Sequence, residues 1–533
     1  MKQIKFWLAT SLCLGLGAAG SLRAAVINAA SGAYADVTNA VAHATFGDTV
    51  QLPAGTWTWT NSEMTFSGIT IAGMGTNATI LIDNLPGPSA ANNWRQFNRF
   101  MIAVPVTNAL TRITGITFQD GGNPLHDFKG KIEFDGRAST ALKWRIDHCQ
   151  FVKLNGDNLY VHGNANGLVD HCTFILQGTA INHYGISMSD SYGDVPYATP
   201  PGFGTANALY VEDCYFTNVI PNSSSSAVYD GYAGGKSVFR NNTVWNTFWE
   251  AHGNDTSQRY RGTRSFEIYN NSFLDNQNFV TAMDFRSGTG VIFSNTVVGY
   301  KIFSTIENYR NVQPNYWGGV NGASLWDSNS PTIYLSGIYT GTNGATSLTV
   351  NGANWTPGQW TGYVLVNTNS GRFDLIQNNT ANQISLTAPK DLAPMTFTNG
   401  DAYEIHYVGA ALDQVGRGSG DMVIDSYANW PNITTVNTVG NAAGWPHQVL
   451  EPLYSWGNTL NGNLAGVTSS YANIQEGREI YFNTPKPGYT PFTYPHPLQS
   501  SSTNSTGSGS TGGSTTNQTA NLQPPTGLQV IPQ

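Results

Sequence analysis

The sequence predicts an all-β protein, a right-handed parallel β-helix built as a single-stranded solenoid, and three observations carry that prediction. Six short segments repeat along the middle of the chain, each behind a brief alternating apolar stretch. One position of the repeat holds only Cys or Asn. The composition is that of a turn-rich β protein: only 11% of residues are charged, against roughly 25% in an average soluble protein, while 58 glycines and 12% aromatic residues favour tight turns and pleated strands.

Taken from the N-terminus, residues 1–25 read as a signal peptide. Lys2 and Lys5 precede a short apolar run, Phe6 to Ala19, and small residues between Ala18 and Ala25 offer cleavage sites. The run is shorter than the ~20 residues that span a bilayer, and Leu12 ahead of Cys13 does not suit a lipid anchor. An exported protein without a membrane span is expected, secreted or held at the cell surface. A net charge of −8 excludes a nucleic-acid binder, which needs a basic face for phosphates. A monomer is expected.

The β-helix is expected over 26–336. The repeats are Asp147-His-Cys-Gln-Phe151, Asp170-His-Cys-Thr-Phe174, Glu212-Asp-Cys-Tyr-Phe216, Arg240-Asn-Asn-Thr-Val244, Tyr269-Asn-Asn-Ser-Phe273 and Phe293-Ser-Asn-Thr-Val297. Their centres lie 23, 42, 28, 29 and 24 residues apart, a period that fits one solenoid coil with loops of varying length. Coils stack ~4.8 Å apart, so equivalent residues form columns. An inward polar residue survives only if its column neighbours satisfy it. Cys149, Cys172, Cys214, Asn242, Asn271 and Asn295 make one such column, an asparagine ladder with a thiol counterpart, and Asn458 rejoins it downstream. Parallel side-chain vectors favour buried free thiols over a disulfide.

Residues 337–407 break the rhythm with alternating runs such as Gly362-Tyr-Val-Leu-Val366 and Gln383-Ile-Ser-Leu386, which predicts a small inserted β module. The β-helix resumes over 408–498 and ends in a proline-rich run from Pro485 to Pro497, because proline cannot donate to a ladder. The tail, 499–533, is rich in Ser, Thr, Gly and Asn and is expected to be disordered.

Residues 35–59, with the apolar face Val37, Ala40, Val41 and Ala44 followed by the Gly47-Asp48 turn, resemble the capping helix and first coil of pectate lyase-like (pectin lyase fold) β-helices. The run Trp144-Arg-Ile-Asp-His148 is similar to the Trp-Ile-Asp-His strand of pectate lyases. The resemblance spans 26–330 and 408–498. It implies a polysaccharide-directed protein whose substrate, an acidic glycan in the lyases, lies on one sheet. It is specific for fold and weakly specific for activity.

The sheet expected to form that groove contains Asn158-Leu-Tyr-Val-His162, Gly185-Ile-Ser-Met-Ser189, Ala227-Val-Tyr229, Glu250-Ala-His252, Ala282-Met-Asp-Phe-Arg286 and Ser304-Thr-Ile-Glu307. A period of two turns Tyr160, His162, Ser187, Ser189, Tyr229, Glu250, His252, Asp284 and Arg286 outward. Two loops, 191–207 and 253–265, overhang this face, the second carrying Arg259, Arg261 and Arg264.

Uronate β-elimination needs a cation to neutralise the sugar carboxylate and a base for the α-proton. Arg261, Arg264 or Arg286 suits the first role and His252 or Tyr229 the second; the bland reading pairs these arginines with Asp255, Asp284 and Glu250 to pin a loop. Hydrolysis instead needs two carboxylates ~5–5.5 Å or ~6.5–9.5 Å apart, and Glu250 and Asp284 fall on neighbouring coils. Tyr160, Tyr229 and Trp249 suit sugar stacking, with His162 and Arg259 as further binding residues.

The paired aspartates and Gly-His-Gly of polygalacturonases are missing, as is the Arg-x-Pro-x-x-Arg of pectate lyases. No cofactor is evident. Asp147 and Asp170 are candidate Ca²⁺ ligands, but both belong to the repeat, which favours a structural role. A polysaccharide lyase stands ahead of a glycoside hydrolase. The alternatives are a non-catalytic glycan-binding or adhesive β-helix and a purely structural surface protein.

Overall fold

The computed structural model describes residues 24–60, 63–85, 99–122, 132–136, 143–154, 156–163, 165–184, 200–219, 227–232, 234–252, 262–307, 333–361, 363–387, 394–407, 415–420, 422–423, 436–437, 448–470 and 474–500. The expectations for residues 1–23, Ile186 to Ser189, Arg259, Arg261 and 501–533 fall outside them.

The chain is a right-handed parallel β-helix. Three long sheets of twelve, nine and eleven strands share the coils, and each strand pairs with the equivalent strand one coil away. The nine-stranded sheet runs in order through Met64–Ser67, Met101–Val104, Ile132–Gly136, Leu159–Gly163, Ile181–Tyr184, Ala227–Tyr232, Phe248–Ala251, Thr281–Phe285 and Ile302–Ile306. One α-helix, Tyr34–His43, buries Val37 and Ala40 against the first coil and covers the open end of the core.

Why the repeat has its form is visible in the backbone. Its second residue takes a left-handed conformation on six successive coils: His148, His171, Asp213, Asn241, Asn270 and Ser294 lie at φ between 51° and 57°. Asn, Asp and His tolerate that region better than other residues with a Cβ. This turn swings the chain from the twelve-stranded to the eleven-stranded sheet and points the third residue inward. There Asn242 donates to Asn271 Oδ1 (3.1 Å), Asn271 to Asn295 Oδ1 (2.9 Å) and Asn295 to Asn458 Oδ1 (2.9 Å). Each amide nitrogen also reaches a backbone carbonyl of the preceding coil, as Asn271 Nδ2 does at Phe239. Cys149, Cys172 and Cys214 continue the column as free buried thiols, and burial pushes all three upward in pKa. The aromatic residue two positions on stacks as well: Phe151 lies 4.5 Å from Phe174, and Phe174 4.8 Å from Phe216.

A six-stranded antiparallel sheet from Leu335–Ile338 to Ala402–Tyr407 carries its own core, with Leu365, Ile376, Ile384, Phe397 and Ile405. After it, Leu453–Trp456 and Asn458–Leu460 resume the twelve- and eleven-stranded sheets. Beyond the last coil strand, Ile480–Phe482, the proline-rich segment returns along the outer face of the twelve-stranded sheet. There it covers a row of buried charges. Arg240 pairs with Glu212 and donates to the carbonyls of Phe492 and Thr493, while Arg145 holds Asp170 and the carbonyls of Leu498 and Gln499. Sequence patterning gave no hint of this strap, because its partners lie more than 200 residues away.

Asp147 is held by Arg112 and His148, which keep its carboxyl well below the usual range despite burial. Asp170 has Arg145 and His171 in the same places. Both carboxylates are thus spent on ion pairs of the coil wall. The imidazoles of His148 and His171 lie on the surface, parallel and 5.0 Å apart.

Candidate functional site

The alternation of the nine-stranded sheet decides which groups face out. Register pairs Asp230 with Glu250, Glu250 with Asp284, and Asp284 with Thr305, giving one outward column. A second outward position, two residues later on each strand, carries Tyr232, His252, Arg286 and Glu307; the amides of His252, Arg286 and Glu307 continue the ladder to Gly231, Ala251 and Phe285.

These side chains form one network. Arg286 Nη2 lies 2.7 Å from Glu250 Oε1, and its Nε lies 3.1 Å from Glu307 and 3.4 Å from Asp284. Arg286 Nη1 donates to His252 Nε2 at 2.9 Å. A guanidinium only donates, so this bond assigns the imidazole proton to Nδ1, which lies 3.0 Å from Asp230 Oδ1 and 3.2 Å from Glu250 Oε1. The Tyr232 hydroxyl donates to the other oxygen of Asp230, and its ring stacks on His252 at 4.4 Å. His252 therefore has an acceptor nitrogen toward Arg286 and a carboxylate behind it. Asp284 is pushed up to about 6, chiefly by burial and then by the neighbouring Glu307 and Glu250 charges, with Arg286 opposing. One carboxyl near neutrality beside an Arg-paired Glu250 is an arrangement from which acid and base roles separate.

Glu250, His252, Asp284 and Arg286 are brought together as the outward alternation predicts. Three other expected site residues lie elsewhere. Tyr229 is fully buried, stacked on Trp249 at 5.2 Å inside the core. A β-bulge between Ala227 and Tyr229 shifts the strand by one residue, which turns Tyr229 inward and Asp230 outward. Trp249 shares that fate without a bulge: it precedes outward Glu250, so the alternation itself points it into the core. Arg264 is buried against Glu451, whose two carboxylate oxygens take its Nη1 and Nη2 at 2.6 and 2.9 Å, and it pins the chain rather than facing the groove.

Tyr160 and His162 do face the same side, three and more coils toward the N-terminus. Here the structure adds residues that the sequence reading missed. Glu133 and Asp135 pair in register with Tyr160 and His162. His162 Nδ1 lies 3.2 Å from Glu133, Arg99 is ion-paired to Glu133, and the Tyr160 ring packs edge-on against His162 at 3.9 Å. Extending the period one coil upstream, to Ile132-Glu-Phe-Asp-Gly136, would have found them.

Two sets of donor atoms lie within 4.8 Å of one another: Glu133, Asp135 and His162, and Asp230, Glu250 and His252. Ca²⁺ takes roughly six to eight oxygen ligands. Each set instead includes an imidazole, and each already has a guanidinium on its glutamate. Among the described residues neither set supplies the all-oxygen shell that Ca²⁺ takes.

No protein-family model and no curated protein matches this sequence. Solved structures do resemble the chain. An alginate lyase from Paenibacillus sp. str. FPU-7 is 13% identical over 53% of this chain and 99% of its own, with a TM-score of 0.32. The PL6 family alginate lyase AlyGC is 16% identical over 54% of this chain and 40% of its own, with a TM-score of 0.29. The family 28 exopolygalacturonase of Yersinia enterocolitica is 11% identical over 54% of this chain and 76% of its own, with a TM-score of 0.27. At this identity the likeness is one of architecture and says nothing of the site.

Proposed function

We propose that this protein is an exported enzyme that cleaves a uronic-acid polysaccharide by β-elimination on the outward face of the nine-stranded sheet. One observation carries the reading: a guanidinium, a proton-accepting imidazole nitrogen and a carboxyl raised to about 6 meet at Arg286, His252 and Asp284. Export rests on the basic-then-apolar opening of the sequence, Lys2 to Ala19. Among the described residues no helix is long and apolar enough to cross a membrane.

The chemistry follows from those groups. A sugar carboxylate competes with Glu250 for Arg286, since the planar guanidinium binds either carboxylate in the same way. Drawing Arg286 away frees His252 Nε2 to accept a proton. With its carboxylate neutralised, the sugar's C5–H becomes acidic and passes its proton to Nε2, while Asp230 on Nδ1 stabilises the imidazolium. The electron pair forms the C4–C5 double bond and expels the C4 oxygen, which takes the proton of Asp284. Arginine fills the role that a divalent cation would otherwise supply, so chelators should leave turnover intact.

Hydrolysis has one observation in its favour: Glu250 and Asp284 sit directly opposite in register, with the Asp284 carboxyl pushed up to about 6. Assaying the full chain on polyguluronate, polymannuronate and polygalacturonate separates the two. A rise in ultraviolet absorbance from the unsaturated product, lost in His252→Ala, supports elimination. New reducing ends without that absorbance would select hydrolysis. Tight binding with neither signal would select a non-catalytic glycan binder.

A further inference from the structure

The nine strands of the candidate face are not shared equally on the two sides of the reactive groups. Asp284 lies in the eighth strand and Arg286 follows it directly. Among the described residues seven strands lie on one side, from Phe248–Ala251 back to Met64–Ser67, and one strand, Ile302–Ile306, lies on the other. At ~4.8 Å per coil the face extends about 34 Å in one direction and about 5 Å in the other. The twelve- and eleven-stranded sheets continue past this point through Leu453–Trp456 and Asn458–Leu460. Among the described residues the nine-stranded sheet has no strand after Ile302–Ile306, and the segment that joins Asn463–Ala465 to Ile480–Phe482 adds none to it.

The long side also carries a second cluster of the same design. His162 on Glu133, with Asp135 beside it and Arg99 on the glutamate, repeats the arrangement of His252 on Asp230 and Glu250 with Arg286. The strands of His162 and His252 are three coils apart in the sheet order, or ~14 Å. Each cluster places a guanidinium that can exchange its own carboxylate for one on a ligand.

We infer that the polymer lies along the solenoid axis with its long arm over Glu133, Tyr160 and His162 and only a short stub beyond Arg286, so that cleavage is terminal and releases short products. This rests on the elimination reading above, and deepens it. The long arm supplies affinity, the stub sets product length, and Arg99 and His162 act as binding residues distant from the bond that breaks.

The test is product sizing with the full chain on whichever of the three polyuronates it cleaves, at low conversion. Short unsaturated products from the earliest times, with the viscosity of the polymer nearly unchanged, are expected. An early collapse in viscosity with long products would overturn the inference while leaving elimination intact. Arg99→Gln and His162→Gln should raise KM on the polymer about tenfold, as loss of one charge-assisted contact would, and raise KM on the shortest cleaved oligomer less than about twofold. Equal effects on both would also overturn it. Where either variant fails to fold, the sizing result decides alone. If no polymer is cleaved, the elimination reading falls first. Calorimetric binding of polyguluronate then tests the long arm, which is refuted if Arg99→Gln leaves that affinity unchanged.

Discussion

Replacing Asp284 by Asn should stabilise the protein, and only at neutral to alkaline pH. Asp284 is 7% exposed and flanked by Glu250 and Glu307, and its pKa is raised from 3.8 to about 6. A carboxyl whose pKa rises on folding favours the protonated folded state. Its contribution is fully present below pH 3.8 and is lost as pH climbs through 6. By pH 8 the ionised side chain therefore costs the fold about 3 kcal/mol. Asparagine keeps an oxygen for the Thr305 hydroxyl, which donates to Asp284 Oδ1 at 2.9 Å, and removes the charge. The variant should gain about 2–3 kcal/mol near pH 8 and almost nothing near pH 4. Urea unfolding followed by tryptophan fluorescence at the two pH values measures this directly. A variant no more stable than the parent near pH 8, or a gain of equal size at both, would refute the assignment of a buried, charge-crowded carboxyl. The same substitution should lower turnover, because Asn has no acidic proton to give the leaving oxygen, so stability and activity should move in opposite directions.

Further outcomes follow from the same geometry. His252→Ala should reduce elimination by ~10²–10⁴-fold, the usual contribution of a positioned base, with circular dichroism unchanged. Arg286→Lys keeps the charge but loses the fork that spans Glu250 and His252, so it should raise KM and lower turnover together. Asn271→Ala removes the Oδ1 that accepts from both the backbone N and the Nδ2 of Asn242, and takes the side-chain donor away from the Phe239 carbonyl; a loss of roughly 2–4 kcal/mol is expected from thermal or urea unfolding. Arg240→Ala strands the buried Glu212 carboxylate and releases the carbonyls of Phe492 and Thr493. It should cost about 3–5 kcal/mol, with hydrogen exchange rising first across residues 489–499.

Much of this protein could be read from its residues because a solenoid repeats one local decision many times. Each of the six repeat coils sets a left-handed residue before an inward Cys or Asn, and the pairs His148-Cys149, Asn241-Asn242 and Asn270-Asn271 write that need directly into the sequence. The outward alternation likewise brought Glu250, His252, Asp284 and Arg286 to one face, since period two holds wherever a strand is regular. It also contained Trp249's inward position, which aromatic character alone obscured. Tyr229 could not be placed the same way. A single extra residue in its strand reverses every side chain beyond it, and no local pattern in Ala227-Val-Tyr229 marks the bulge. Arg264 was lost to Glu451, and the charges of the coil wall to the strap at 489–499, because partners 187 to 354 residues away leave no trace in local periodicity. The sequence alone thus determined the coil, its columns and the face that looks outward. Tertiary structure alone decided which outward charges meet each other, because that depends on stacking order and long-range closure.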